Sequence, residues 1–334
     1  MEKKKRSFHI EFGDYGILYA LLIFWIILAI TNENFRGISF YQNILSRASL
    51  NAICGIGMTY VIISGDLDLS VASQVALNGV IITMIMPVIG IASTILVILA
   101  LGAVLGIING LLIAKLKIPA FIATLAMQMA YRALAQMINS KPVVVEDAFF
   151  KKFATYRIFG IIPTAFLILC VLAVIGTIVL RLTKLGRDTL AIGNSKQAAV
   201  ISGINVPRTQ IMIYVLVGIF TACSAIMIVS SLGSSNYGMQ IGLEFTVISS
   251  VVLGGTALAG GKGSIFNTIV AAIFLVTIRS AMDAFGVDSY WQRVVEGVIL
   301  VIAFSITEVR NIINSFVVKQ NVKKQLIEKA SASS

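Results

Sequence analysis

Two carboxylates stand one residue apart in Ser64-Gly65-Asp66-Leu67-Asp68-Leu69-Ser70, a short polar stretch between long apolar runs. Paired carboxylates suit cation binding or general acid/base work. A cation site draws on several oxygen ligands, and no third or fourth lies nearby in the sequence. Glycosidase-type chemistry needs separated carboxyl groups across a water-accessible cleft, and nothing in the sequence shows one. The spacing predicts instead that Asp68 or Ser70 caps the helix opening at Val71, because Asp and Ser are preferred there. Further on, Gln74 and Asn78 lie four apart and share one face of that helix. A polar stripe on a membrane helix lines a path or bonds across helices. Asp68, Ser70, Gln74 and Asn78 are therefore the candidate pathway residues, with Asn51, Asn109, Gln128 and Asn267 as weaker cases of the same kind.

Leu253 to Ser264, LGGTALAGGKGS, has the glycine and lysine content of a phosphate loop without its spacing. Thr256 stands five before Gly261 where glycine is required, and Gly263 follows Lys262 where Ser or Thr is required. No strand precedes it. The chain carries no nucleotide site of its own on this reading, and the glycines permit tight packing or a bending gate. HExxH, GxSxG, CxxC and a histidine-paired nucleophile are absent, which argues against an enzyme. Intramembrane acids and bases are too few for a carboxylate proton relay. Cys54, Cys170 and Cys223 all lie in apolar runs and read as buried free thiols. His9, in the basic N-terminal tail, reads as a surface residue and not a metal ligand.

The elements that must hold these residues are apolar. The chain has 334 residues, 58% hydrophobic and only 12% charged, with mean hydropathy +0.95. Soluble domains carry about 25% charged residues, so this is an integral membrane protein. Its net charge of +11 is scattered between apolar runs, which fits anchoring against anionic lipid and not nucleic-acid binding. Apolar runs of bilayer-crossing length, about 17–25 residues, fall near 15–30, 44–63, 71–86, 92–114, 118–138, 161–180, 210–230, 244–260, 264–281 and 290–306. Pro87 and Gly90 supply the turn between the third and fourth. The eighth is glycine-rich and the weakest. Counting it places most of the Lys and Arg on one side, with Arg47, Arg132, Arg279 and Arg293 at helix ends on the other. The expectation is an all-α polytopic fold of about ten transmembrane helices, both termini cytoplasmic.

That divides the chain into a cytoplasmic tail (1–14), a transmembrane domain (15–306) carrying the inward loop 181–208, and a second cytoplasmic tail (307–334). The N-terminus has the basic-then-apolar order of a signal peptide, but Thr31, Asn32, Glu33 and Asn34 offer no cleavage site, so it is read as retained. Gly102, Gly106 and Gly110 recur every four residues and predict a close helix–helix contact. The outward loop 139–160 holds five aromatics and reads as an amphipathic surface helix able to dock an external partner, or as an interfacial aromatic belt. The inward loop 181–208 is the longest polar interval between spans. Its AIGNSKQAAVISGI stretch predicts a short helix outside the membrane, a knob for something to press against.

Taken in order, four stretches resemble the permease subunits of bacterial ABC sugar importers of the ribose/xylose/galactose type. SGDLDLSVAS is similar to that family's GIDLSVGS, and IPAFIATLAMQMAYRALA (118–135) to its PxFIxTLxxxxxxRGxA. LAIGNSKQAAVISGINVPR is similar to its cytoplasmic loop, and VVLGGTALAGGKGS to its VVxGGTSLxGGxGS. Ala72 and Ala133 stand where the family has glycine. The EAA motif of importers appears as Gln197-Ala198-Ala199 with Gly203 four residues on, so the glutamate charge is missing. The resemblance implies that Gly193, Asn194, Gln197, Ala198, Ala199 and Gly203 couple to a separate ATPase subunit. It implies no cofactor on this chain, ATP and Mg being used by that ATPase. It also implies an extracytoplasmic binding protein that delivers a monosaccharide, and a second permease copy or paralogue. Autoinducer-2, nucleosides or branched-chain amino acids are alternative cargoes; a self-sufficient secondary carrier or channel is the alternative class.

Overall fold

The computed structural model describes residues 15–303 and 305. The two tails and the expectations attached to them, His9 included, lie outside the described residues. Apolar runs become helices because backbone removed from water must satisfy its N–H and C=O groups within its own segment. They are α1 (Gly16–Thr31), α2 (Ile38–Ile63), α3 (Val71–Ala114) and α4 (Ala120–Ile138), then a short α5 (Ala148–Phe153) and α6 (Thr164–Leu182). Two short helices follow, α7 (Lys184–Asn194) and α8 (Lys196–Ile201), before α9 (Val206–Leu232), α10 (Leu243–Leu253), α11 (Ile265–Ala284) and α12 over 289–303. Five of these, α2, α3, α6, α9 and α11, are long and apolar enough to cross a membrane.

Helix α3 is a hairpin. A straight helix would set Ser70 and Asn109 about 58 Å apart, yet Asn109 Nδ2 donates to Ser70 Oγ at 2.8 Å. The reversal is at Gly90, whose φ of 76° lies in the region only glycine enters freely. Pro87 sits in the preceding turn. Both arms pack on α9, and the predicted glycine face makes that contact. A Cβ on Gly102 would overlap the Gly218 carbonyl oxygen, one on Gly106 the Tyr214 carbonyl oxygen, and one on Gly110 would stand 2.8 Å from Ile211 Cα. The buried core runs through α2 from Ala52 to Ile63, the arms of α3, and α9. Around it α1, α6 and α12 turn apolar side chains such as Ile26, Val171 and Val301 outward. Trp25 Nε1 ties α1 to α11 through Thr277 Oγ1 at 3.1 Å.

The helix ends sort by charge. One end of the bundle carries Lys115, Lys117, Arg181, Lys184, Arg187, Lys196, Arg208 and Lys262 on the loops after α3, α6 and α10 and on the helices beside them. The other holds the loop 139–160, where α5 buries Phe150 against α9 but leaves Phe149, Tyr156 and Phe159 exposed. Two two-residue ladders close that end: β1 (Val143–Val144) with β4 (Ser234–Ser235), and β2 (Arg157–Ile158) with β3 (Ile162–Pro163).

The eighth crossing departs from expectation. In place of one helix over 244–260 the structure has α10, 11 residues long, about 16 Å and half a bilayer. The segment before it, Ser234 to Gly242, is non-helical. Ser235 Oγ meets Thr83 Oγ1 at 2.7 Å, some 18 Å along the first arm of α3 from the basic end, so this irregular backbone packs against the outer half of that arm. Positive φ at Gly233, Gln240 and Gly242 explains why the segment is not helical. Beyond α10, the run 254–264 is a packed loop at the basic end.

Candidate functional site

The loop Ser64–Ser70 is the polar hub of the basic end. Asp68 Oδ1 accepts from Ser70 N at 2.8 Å and from Ser70 Oγ at 2.6 Å. Ser70 Oγ in turn accepts from Gln74 Nε2 at 2.9 Å and from Asn109 Nδ2 at 2.8 Å. Tyr131 OH donates to Asn109 Oδ1 at 3.0 Å. Thr124 Oγ1 accepts from Leu69 N at 3.1 Å, and Gln210 Nε2 donates to Asp66 Oδ2 at 2.9 Å. One seven-residue loop thereby binds both arms of α3, α4 and α9.

Neither Asp68 nor Ser70 caps α3 with its side chain, contrary to expectation. A capping oxygen reaches the free N–H groups from an extended backbone, and Ser70 sits near helical values, φ −78° and ψ −8°. Gln74 and Asn78 do not bond across helices either. Gln74 bonds within its own turn, and both amide atoms of Asn78 are buried without a partner among the described residues, as are Gln74 Oε1 and Ser73 Oγ. Asn109, a weaker candidate from the sequence, makes the cross-arm bond. Asp68, Ser70, Gln74 and Asn78 are all fully buried, so a pathway role for them requires a conformation that opens this hub.

Burial pushes the Asp68 carboxyl above the usual 3.8 against the opposing hydrogen bonds from Ser70 and Asn109. Burial also raises Asp66, opposed by Gln210 and Lys196. An acid raised in the folded state contributes stability that is complete below 3.8 and is lost as pH climbs through the higher folded value. Asp68→Asn keeps an oxygen for both Ser70 donors and is expected to reduce that decline. Asp68→Ala strands the Ser70 N–H and is expected to cost about 1–3 kcal/mol. Thermal unfolding in detergent between about pH 4 and 8 checks both.

The loop 181–208 forms two helices where one was expected, and Arg181 belongs to α6. Thr183 and Ser195 break the helix into α7 and α8 by capping each with a side-chain oxygen, to Gly186 N and Ala198 N. Of the six residues singled out there, Gly193 is the one wedged into the bundle. A Cβ on it would overlap both the Ile63 carbonyl oxygen and Gly261 N, which are themselves bonded at 2.8 Å. Asn194 lies beside Gly261 and is exposed. Ala199 is buried with Ile192 and Val206. Gln197 and Ala198 are exposed, and so are Val200 and Ile201, the latter 87% accessible. Gly203 ends α8 at φ 79° in open space.

A second polar group was missed as a group, although Gln128 was a weaker candidate by itself. Arg132 was expected at a helix end but lies 12 residues into the 19-residue α4, about 18 Å from its start. Its Nη1 donates to the carbonyls of Tyr237 and Met239 at 2.6 and 2.8 Å. One turn earlier, Gln128 Nε2 donates to Glu244 Oε1 at 2.8 Å. The sequence signal was available: Gln128 and Arg132 are four apart on one face, and the weak eighth run begins at an acid.

The family described as branched-chain amino acid transport system/permease component matches residues 40–304. The ribose import permease protein RbsC of Escherichia coli (strain K12) is 35% identical over 292 residues, 86% of this chain and 91% of that one. The L-arabinose transport system permease protein AraH of the same strain is 36% identical over 306 residues, 90% of this chain and 92% of that one. Its probable ABC transporter permease protein YphD is 34% identical over 293 residues, 87% and 88% of the two chains. No solved structure matches. With a family match over most of its length and relatives aligned nearly end to end, the chain belongs to the branched-chain amino acid transport system/permease component family and is a multi-pass membrane permease.

Proposed function

We propose that this permease is the membrane subunit of an ATP-driven importer of a monosaccharide, of the ribose or arabinose kind. The observation that carries this is the exposed α8, a six-residue helix with Gln197, Val200 and Ile201 uncovered at the basic end. An apolar tip such as Ile201 projecting into water is a docking feature, and a chain without a phosphate loop needs an ATPase from outside. The names of the relatives supply the cargo class. In this reading the bundle makes ten crossings with the basic end and both termini in the cytoplasm. The ATPase takes up α7 and α8 and uses ATP and Mg; the chain itself holds no cofactor. A sugar-binding protein docks over the loop 139–160 at the opposite end, and a second copy or paralogue completes the passage. The buried hub from Asp68 to Asn78 opens and closes its cytoplasmic end.

Reconstituted D-ribose or L-arabinose uptake that depends on ATP, the ATPase and the binding protein is the expected result; uptake by the permease alone on an ion gradient sinks the reading. The family description favours branched-chain amino acids as the second cargo class, and leucine uptake in the same assay separates the two. Docking at α8 is tested at Gly203, where an added Cβ would meet nothing within 4 Å beyond its chain neighbours among the described residues. Gly203→Asn tolerates the left-handed backbone and should retain the ATPase. Gly203→Trp should release it in a pull-down; equal retention of both counts against docking there.

A further inference from the structure

The group missed in the sequence sits where a membrane protein can least accommodate it without purpose. Gln128 and Arg132 are half-buried on α4, at about 12 and 18 Å from its basic-end start, inside a hydrocarbon core about 30 Å thick. Opposite them lies the non-helical Ser234–Gly242 segment, and irregular backbone at this depth persists only where protein covers it or it lines a water-filled cavity. It is not fully covered, because Ile241 is exposed and Tyr237 and Gln240 are half-buried, with Phe245 exposed beside it on α10. Glu244 is 3% exposed and its Oε2 has no partner among the described residues. The first turn of α10 favours a negative charge there, and Gln128 holds Oε1, but neither accounts for the free oxygen. Arg132 spends Nη1 on two carbonyls and leaves Nε and Nη2 without a protein partner among the described residues.

We propose that Gln128, Arg132 and Glu244, flanked by Phe245 and Tyr237, form a transit site for the hydroxyl groups of a neutral monosaccharide, placing the passage along the α4–α10 groove. A sugar hydroxyl both donates and accepts, so adjacent hydroxyls satisfy Glu244 Oε2 and the free guanidinium donors together. The exposed Phe245 ring supplies an apolar face for the C–H side of a sugar ring. The occupant rests on the sugar-import reading; the location of the passage does not.

The test uses the full complex after Cys54, Cys170 and Cys223 are replaced by alanine, with single cysteines introduced by Gln128→Cys or, as lipid-facing controls on α6, Val171→Cys and Ile175→Cys. A charged methanethiosulfonate should label Gln128→Cys at least about tenfold faster than either control, since hydrocarbon excludes the reagent, and D-ribose should slow it. Glu244→Gln retains the shape, so normal amounts of complex are expected with D-ribose uptake lowered at least about tenfold. Labelling of Gln128→Cys as slow as the controls, or wild-type uptake by Glu244→Gln, overturns the proposal. If the wild-type complex carries leucine but no monosaccharide while Gln128→Cys still labels fast, the sugar reading fails, and with it the polyol occupant, but the passage stays where it is placed.

Discussion

Gly193→Ala is expected to abolish coupled uptake while the ATPase continues to hydrolyse ATP. The added methyl has nowhere to go. It would overlap the Ile63 carbonyl oxygen and Gly261 N, two backbone atoms joined by a hydrogen bond of 2.8 Å, and neither can swing aside as a side chain can. Gly260 closes the same contact from the other side, where a Cβ would stand 2.9 Å from Gly193 Cα. The end of α7 must therefore lift off α2 and the glycine loop. At that junction Gly193 meets the bundle backbone to backbone, and the hub loop begins one residue beyond Ile63. On the proposed function, a push on α8 would reach Asp68 and Asn109 through this contact. Proteoliposomes should show uptake reduced at least about tenfold, with ATP hydrolysis within about twofold of the unmodified complex. Parallel loss of both activities would mean the change unfolds the loop instead; undiminished uptake would refute the relay.

Gly106→Leu is expected to cost about 3 kcal/mol, the upper part of the range for overfilled interiors. The α3–α9 contact is a meeting of two backbones: Gly106 against Tyr214, Gly102 against Gly218, and Gly218 back against Gly102. Lipid tails are as apolar as leucine, so helix association in a bilayer rests on this kind of close packing. A leucine at 106 would separate the helices along their length and draw apart Asn109, one turn further on, from Ser70. Unfolding in detergent should begin about 6 °C lower or more, with D-ribose uptake lost. Gly90→Leu fails for a different reason, strain at φ 76° in open space, and should be the milder of the two.

Much of the scaffold was readable before any coordinates. Helix ends fell within a few residues of the apolar runs at α1, α4 and α11, because length and hydropathy decide what crosses a bilayer. The hairpin at Gly90 and the glycine face of α3 followed from conformational freedom and a period of four. The site was less legible. Gln197 and Gly203 were picked out by motif spacing, but nothing in that spacing distinguishes the exposed α8 tip from Gly193, which is wedged. The polar residues were harder still. Asn78 stood out on a stripe and has no partner in the fold, whereas Asn109 ranked low and closes the hub.

The amino-acid sequence by itself determined that the chain is an integral membrane protein, where most of its helices run, and which end is basic, since these depend on composition and local period; the permease reading needed the ordered family motifs. Only the tertiary structure decided that the predicted eighth span is half helix and half irregular backbone, that Gln128 meets Glu244, and that Gly193 touches Ile63 and Gly261. The reason is sequence distance. Gln128 and Glu244 are 116 residues apart, and Gly261 and Ile63 farther still, so no local pattern registers that folding brings them into contact. In hydrocarbon such polar partners must be found across the fold, because there is no water to take their place.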